Sequence, residues 1–181
     1  MKIIAGEFKG RNIKIPSGIR PVSLRIKKSC FDILGLEIQG KRILDLFSGS
    51  GSLGLEALSR GAAVATFVDF DKKCTTIIKN NVSLLGLDSK AQIYLKDASS
   101  AIRDFSVFKE VFDIIFLDPP YYQGILRKTL QVLKDYDILA NFGFIVAFCF
   151  QKDDYITGEH FFPLLRDKKY GQNRVLLYQK P

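Results

Sequence analysis

The chain has 181 residues, 47% of them hydrophobic and 25% charged, which fits one globular domain with its own core and excludes a disordered chain. Three scattered cysteines (Cys30, Cys74, Cys149), a lone His160 and no apolar run of bilayer length exclude a disulfide scaffold, a multi-histidine metal centre and a membrane span, so the expectation is a soluble cytoplasmic protein without a metal. Net charge is +8, and residues 1–28 hold eight basic residues against one acid, so +7 of the surplus sits at the amino terminus.

A basic arm on a nearly neutral body suggests a polyanionic partner such as nucleic acid, although a solvated face would carry the same charges. Lys9, Arg11, Lys14, Arg20 and Arg25 are its candidates for contact with RNA phosphates. The opening MKIIAGEFKGRN has no apolar stretch of signal-peptide length. Residues 2–5 and 11–15 flank a glycine-containing stretch, a pattern that predicts a β-hairpin. Pro16, Gly18 and Pro21 then break the chain, so residues 1–22 read as an arm and residues 23–181 as the main domain. Residues 23–36 place Leu24, Cys30 or Phe31, and Leu34 at helical spacing, with Ser23 as N-cap and Gly35 or Gly40 as stop.

From residue 41 the chain alternates. Apolar runs at 43–47, 63–68, 91–95, 112–117 and 144–150 read as buried strands, and 52–60, 72–85, 98–105 and 123–136 have helical periodicity. That alternation predicts an α/β fold with a parallel sheet covered on both faces. Residues 161–165 and 174–178, separated by a polar stretch at 167–173, predict a terminal hairpin with an antiparallel last strand. Ligands of such sheets bind outside the carboxyl ends of the strands.

After the first strand, Gly49, Gly51 and Gly54 form G-x-G-x-x-G, which allows a tight turn, close ligand approach and tight helix packing. Asp69 follows 20 residues after Gly49 at the end of the second strand, where a carboxylate can hold ribose hydroxyls. By that count alone the chain could bind NAD or FAD. Asp45 at the loop mouth opposes a pyrophosphate and suits a ligand with an ammonium group, such as S-adenosylmethionine. Asp97 ends the third strand and can accept from an adenine amine. Each acid alone is an ordinary surface or capping residue; three at successive strand ends are not.

The fourth strand runs into Asp118-Pro119-Pro120-Tyr121. Two prolines fix the backbone and remove two N–H donors. The Pro119 carbonyl and the Asp118 carboxylate then form a rigid acceptor pair for an exocyclic amine, and Tyr121 offers a face for a base. Gripping both amine hydrogens orients a poor nucleophile and favours the positive charge that builds on its nitrogen.

These motifs resemble the class I S-adenosylmethionine-dependent methyltransferases of the Asp-Pro-Pro-Tyr type. More narrowly, the chain resembles the bacterial 16S ribosomal RNA guanine-N2 methyltransferases of the RsmD family. The likeness runs through Ile4-Ala5-Gly6, Phe8-Lys9-Gly10, Arg20-Pro21, Phe31-Asp32-Ile33-Leu34, the stretch from Leu44 to Gly51, Gly54-Leu55-Glu56-Ala57-Leu58-Ser59-Arg60-Gly61-Ala62, the Asp-Pro-Pro-Tyr corner and Tyr170-Gly171.

The resemblance implies a Rossmann-like, mostly parallel seven-stranded sheet. It implies that Asp45, Gly49 and Gly51 line the methionine end of the cofactor, that Asp69 holds the ribose and that Asp97 with the Ala98 backbone reads the adenine, with Phe47, Ser50 and Phe70 as further cofactor contacts. Asp118, Pro119, Pro120 and Tyr121 would be catalytic. The implied partner is 16S ribosomal RNA or the assembling small subunit, methylated by a monomer at a guanine-966-type site. Val22 stands where the family has Thr, Lys27-Lys28-Ser29 where it has Arg-Glu-Ala, and Ser48 where it has Ala. His160 reads as structural or exposed, Cys30 and Cys149 as core, Cys74 as a helix position, and Tyr122 as a further substrate wall. The competing functions are a DNA adenine-N6 or protein-glutamine methyltransferase, an NAD-dependent oxidoreductase, and a non-catalytic RNA-binding module.

Overall fold

The computed structural model describes residues 1–19, 22–121, 124–151 and 162–181. After the amino-terminal segment come α1 (Leu24–Leu34), β1 (Arg42–Asp45), α2 (Ser52–Ser59), β2 (Val64–Asp69), α3 (Lys72–Leu85) and β3 (Ala91–Leu95). Then follow α4 (Ala98–Val107), β4 (Phe112–Leu117), α5 (Ile125–Tyr136), β5 (Leu139–Phe150), β6 (Leu164–Tyr170) and β7 (Asn173–Gln179). The first helix is capped as the sequence leads one to expect: Ser23 accepts the Ile26 N–H at 3.3 Å, and Gly35 ends α1 at a φ of 55°. Asp71 caps α3 in the same way, accepting the Lys73 N–H at 2.7 Å.

The seven strands form one sheet in the order β3-β2-β1-β4-β5-β7-β6. β3, β2, β1, β4 and β5 are mutually parallel, and β7 runs antiparallel to both β5 and β6. The last strand therefore slots between β5 and β6, as in the Rossmann-like sheet expected from the resemblance. The polar stretch expected as a turn is mostly strand: β6 runs to Tyr170, and only Gly171 and Gln172 turn the chain. An edge strand tolerates Lys168 and Lys169 because charged side chains on an edge deter further pairing. β5 starts earlier than expected, at Leu139, across a register shift beside Phe112 and Ile114.

Alternate residues of each strand feed two cores. Ile114 and Phe116 join Phe31, Leu55 and Ile78 under α1, α2 and α3, while Ile115 and Leu117 join Ile102 and Leu130 under α4 and α5.

The expected amino-terminal hairpin is one bridge, Lys2 to Asn12, with bonds from the Ile3 N–H to the Arg11 carbonyl and from the Ile13 N–H to the Met1 carbonyl. It is no free arm. Ile3 and Ile13 are buried in the same core as α1 to α3. The fully buried Glu56 carboxylate of α2 accepts the Ile4 and Ala5 N–H groups at 2.8 and 3.0 Å, the Lys27 ammonium at 3.1 Å and the Arg60 guanidinium at 2.9 Å. Gly6 has a φ of 79°, and a Cβ there would lie 1.7 Å from the Ser59 carbonyl oxygen, so only glycine lets the turn dock on the end of α2. Lys27 thus leaves the surface charge of the arm and becomes half of a buried ion pair. Burial lowers its pKa, against the opposing pull of Glu56.

Candidate active site

The strand order reverses between β1 and β4, and the crevice of such a sheet opens there, above the carboxyl ends. A cavity of about 1070 Å³ occupies that position. Its wall includes Phe47, Gly49, Ser50, Asp69, Phe70, Asp97, Ala98, Asp118, Pro119, Pro120 and Tyr121, so both halves of the expected site meet in one space.

The glycine loop is built as the pattern requires. Gly49 and Gly51 have φ of 54° and 77°. A Cβ on Gly54 would lie 2.3 Å from the Phe67 ring, so glycine lets α2 pack onto β2. Ser48, in place of the expected Ala, accepts the Val68 N–H at 2.9 Å and donates to the Asp45 carbonyl at 2.6 Å, tying the ends of β1 and β2 together.

The three strand-end acids differ. Asp69 accepts the Gly49 N–H at 2.8 Å and the Asp71 N–H at 2.9 Å. A carboxylate has about four acceptor positions, so two remain for hydroxyls. Asp97 caps α4 by accepting the Ser100 N–H at 3.0 Å, and its hydrogen bonds with Ser100 hold its carboxyl below the usual range. Asp45 and Gly51 are not on the cavity wall. Asp45 lies beneath the loop, where Oδ2 accepts the Gly54 N–H at 3.2 Å and Oδ1 is buried without a partner among the described residues. Burial pushes its carboxyl up to about 7, and the charges of Asp118 and Asp69 add to that rise. Phe70 is 72% exposed on the wall, an unusual setting for a phenyl ring and suited to a flat adenine.

At the corner, Asp118 is half-buried, and desolvation pushes its carboxyl up to about 7. Pro119 is buried, while Pro120 and Tyr121 are exposed. The Tyr121 ring lies 6.2 Å from that of Phe150, tilted by 40°. Phe148 and Phe150 of β5, Thr129 and Lys128 of α5, Gln172 of the β6–β7 turn and Asn173 of β7 complete this half of the wall. Sequence reasoning missed them because they gather only through the sheet order; for Phe148, Phe150 and Asn173 a place at a strand end was the available signal, and Lys128 and Thr129 in the first turn and a half of α5 offered none. It also missed the buried Asn81, which accepts the Lys14 N–H at 2.8 Å and donates at 3.0 Å to the carbonyls of Lys14 and Ser50. Asn81 joins the arm to the glycine loop.

Lys9, Arg11, Lys14 and Arg25 are exposed, and none is on the cavity wall. Arg25 stands between the wall residues Ser23 and Ile26. Lys9 belongs to the turn docked at the end of α2, and Arg11 donates to the Leu84 carbonyl at 3.4 Å near the end of α3. α2 is eight residues long and starts at the glycine loop, which sets its far end about 12 Å from the cavity. Arg20, Pro21, Tyr122 and His160 lie outside the described residues. Cys30, Cys74 and Cys149 are buried and form no disulfide, and Cys74 is on the cavity wall, its thiol pushed up to about 12 by burial. Among the described residues no helix is long and apolar enough to cross a membrane, and no three metal-ligating side chains cluster.

The family model described as conserved hypothetical protein 95 matches residues 1–179. The YlbH protein of Bacillus subtilis is 38% identical over 182 residues, covering 99% of both chains. The ribosomal RNA small subunit methyltransferase D of Escherichia coli is 32% identical over 182 residues, covering 99% of this chain and 90% of the other. Among solved structures, the hypothetical protein TTHA0928 of Thermus thermophilus superposes with a TM-score of 0.85 at 30% identity, covering 98% of each chain. With its glycine loop, its Asp-Pro-Pro-Tyr corner and likeness along its whole length, the chain belongs to the conserved hypothetical protein 95 family, the family of the ribosomal RNA small subunit methyltransferases D.

Proposed function

We infer that this protein transfers a methyl group from S-adenosylmethionine to the exocyclic N2 of a guanine in 16S ribosomal RNA, at a guanine-966-type site. One observation carries the reading: the rigid amine grip at Asp118 and Pro119 faces the same cavity as the acids and the exposed ring suited to an adenosine. The residues fit that cofactor. The strand-end acids, with the partnerless Oδ1 of Asp45 beneath the loop, favour a ligand with a cationic end over a pyrophosphate. Asp69 would hold the ribose, and Phe70, Asp97 and Ala98 the adenine; Gly49 and Ser50 would flank the methionine end. An NAD-dependent oxidoreductase leaves Asp118 to Tyr121 without a role.

When bound, the cofactor supplies an electrophilic methyl group. Asp118 and the Pro119 carbonyl accept the two amine hydrogens and aim the nitrogen. As methylation puts positive charge on that nitrogen, the Asp118 carboxylate stabilises it and is placed to take the departing proton. Tyr121, with Phe150 beside it, stacks on a base that has left its helix. Lys9, Arg11, Lys14, Arg20 and Arg25 contribute phosphate contacts; among the described ones Arg25 stands nearest the cavity wall, and Lys9 and Arg11 lie by the far ends of α2 and α3.

Purified protein with S-adenosylmethionine labelled in the methyl group, offered 16S RNA or assembled small subunits, tests this reading. Label should appear in N2-methylguanosine. Asp118→Ala should slow transfer by on the order of 100-fold or more while S-adenosylhomocysteine still binds. Label in adenine, in DNA or in protein glutamine, or an undiminished Asp118→Ala rate, would overturn it.

A further inference from the structure

Two elements flank the substrate half of the cavity, and both carry basic side chains. α1 contributes Ile26 and its cap Ser23 to the wall, the β6–β7 turn contributes Gln172, and the start of β7 contributes Asn173. The Tyr170 hydroxyl at the end of β6 hydrogen-bonds Ser29 of α1, which joins the two elements along a seam.

The pairing register fixes which side chains face that seam. On β7, Val175 lies opposite Lys168 and Leu177 opposite Arg166. Val175 and Leu177 belong to the core on the α1 side of the sheet. Directly opposed residues share a face, so Arg166, Lys168 and Tyr170 stand on the α1 side, spaced about 7 Å apart along the outermost strand. Arg25 lies four residues before Ser29, one helical turn nearer the cavity. Arg25, Arg166 and Lys168 are exposed, and among the described residues none of them pairs with a carboxylate. The carboxylates on these elements are engaged elsewhere: Asp32 by Lys28, and Asp167, on the opposite face of β6, by Arg174.

Three uncompensated cations therefore line a path from the sheet edge to the mouth of a cavity whose corner is shaped for a flipped base. A base can be held out of its stack only if the backbone on either side of it is fixed, which is the task of phosphate contacts. We propose that the seam between α1 and β6 binds the phosphates of the RNA strand whose target base enters the cavity, through Arg25, Arg166 and Lys168. The inference rests on the RNA reading above and joins Arg25, already part of the amino-terminal charge, to two contacts far along the chain, Arg166 and Lys168.

The test is affinity for a fluorescein-labelled transcript of the 16S RNA region that the parent methylates, measured against salt, for the parent and for an Arg166→Ala, Lys168→Ala double variant. Two lost phosphate contacts should make the logarithmic slope shallower by about 1.4–1.8. The KM for RNA should rise, while affinity for S-adenosylhomocysteine and the urea midpoint stay at parent values. An Arg166→Glu, Lys168→Glu variant should weaken binding further. A parent slope in the double variant overturns the seam. So does a loss of cofactor affinity, because the two side chains would then be shaping the cavity. A parent protein that neither binds nor methylates RNA overturns the function itself, and the two failures are thereby distinct.

Discussion

Replacing Glu56 by Ala tests how the amino-terminal segment is held, and through it how the cavity is built. The carboxylate is wholly buried and collects two backbone N–H groups, the Lys27 ammonium and the Arg60 guanidinium, all within 3.1 Å. Removing one partner of a buried pair leaves the other charge uncompensated, at about 3–5 kcal/mol. The Ile4 and Ala5 N–H groups add about 1 kcal/mol each at the low end, since a fraying segment can return them to water. The expected loss is on the order of 5 kcal/mol, a large share of the roughly 5–15 kcal/mol that holds a domain together. Urea denaturation gives this directly. Adding Lys27→Met to Glu56→Ala removes the stranded ammonium and should restore a substantial part of the loss. The segment also delivers Gly18, Ile19 and Val22 to the cavity wall, so the single variant should bind S-adenosylhomocysteine more weakly than the double. A Glu56→Ala variant within about 1 kcal/mol of the parent, or a double variant no better than the single, would refute the role given to this carboxylate.

Other outcomes follow from the cavity. In the proposed mechanism Asp118 stabilises the cationic nitrogen and takes its proton only when ionised, and its carboxyl is pushed up to about 7, so single-turnover methyl transfer should rise with pH through about 7, and Asp118→Asn should remove that dependence; an unaltered pH profile would count against the assignment. Asp69→Arg removes the acceptor of the Gly49 and Asp71 N–H groups and sets a cation beside the ribose position, so calorimetry should show S-adenosylhomocysteine binding weakened by on the order of 2–3 kcal/mol; undiminished binding would sink the ribose role. The folded carboxyl of Asp45 near 7 lies above its ordinary value of 3.8, so the folded state binds the extra proton between those values and loses stability as pH rises across them. Asp45→Asn should therefore raise the urea midpoint of the ligand-free protein at about pH 8, above the titration of that carboxyl, while weakening cofactor binding; a lower midpoint would show that the buried charge is not a cost.

Much of this architecture is legible in the chain. The bounds of α3, β3 and β4 follow from periodicity, because their apolar faces are uninterrupted and their ends are marked by Asp71, Gly86 and Asp97. The site is legible for a topological reason: residues far apart in sequence but each at a strand's carboxyl end must meet where the sheet order reverses. Only the start of β6 was legible, in the strand expected at 161–165; the rest was hidden because an edge strand such as Leu164–Tyr170 has no buried face to impose alternation, and its Asp and Lys residues resemble a turn. Charge was the least reliable guide. Lys27 counts as surface charge in a composition yet is buried against Glu56. Lys9 and Arg11 adjoin the cavity residues in sequence yet dock at the far ends of α2 and α3, because the segment runs down the helical layer before returning at Gly18 and Ile19. Asp45 was expected on the wall and lies beneath it, since a short β1 puts its last side chain under the following loop.

The most direct measurement is mass mapping of 16S ribosomal RNA from cells with this protein, cells without it, and cells carrying only Asp118→Ala. One guanine should carry a single methyl group on N2 in the first population and be unmethylated in the other two. A methylation pattern identical in all three, or a change confined to an adenine or cytosine, would contradict the assignment of a guanine-N2 grip to Asp118 and Pro119.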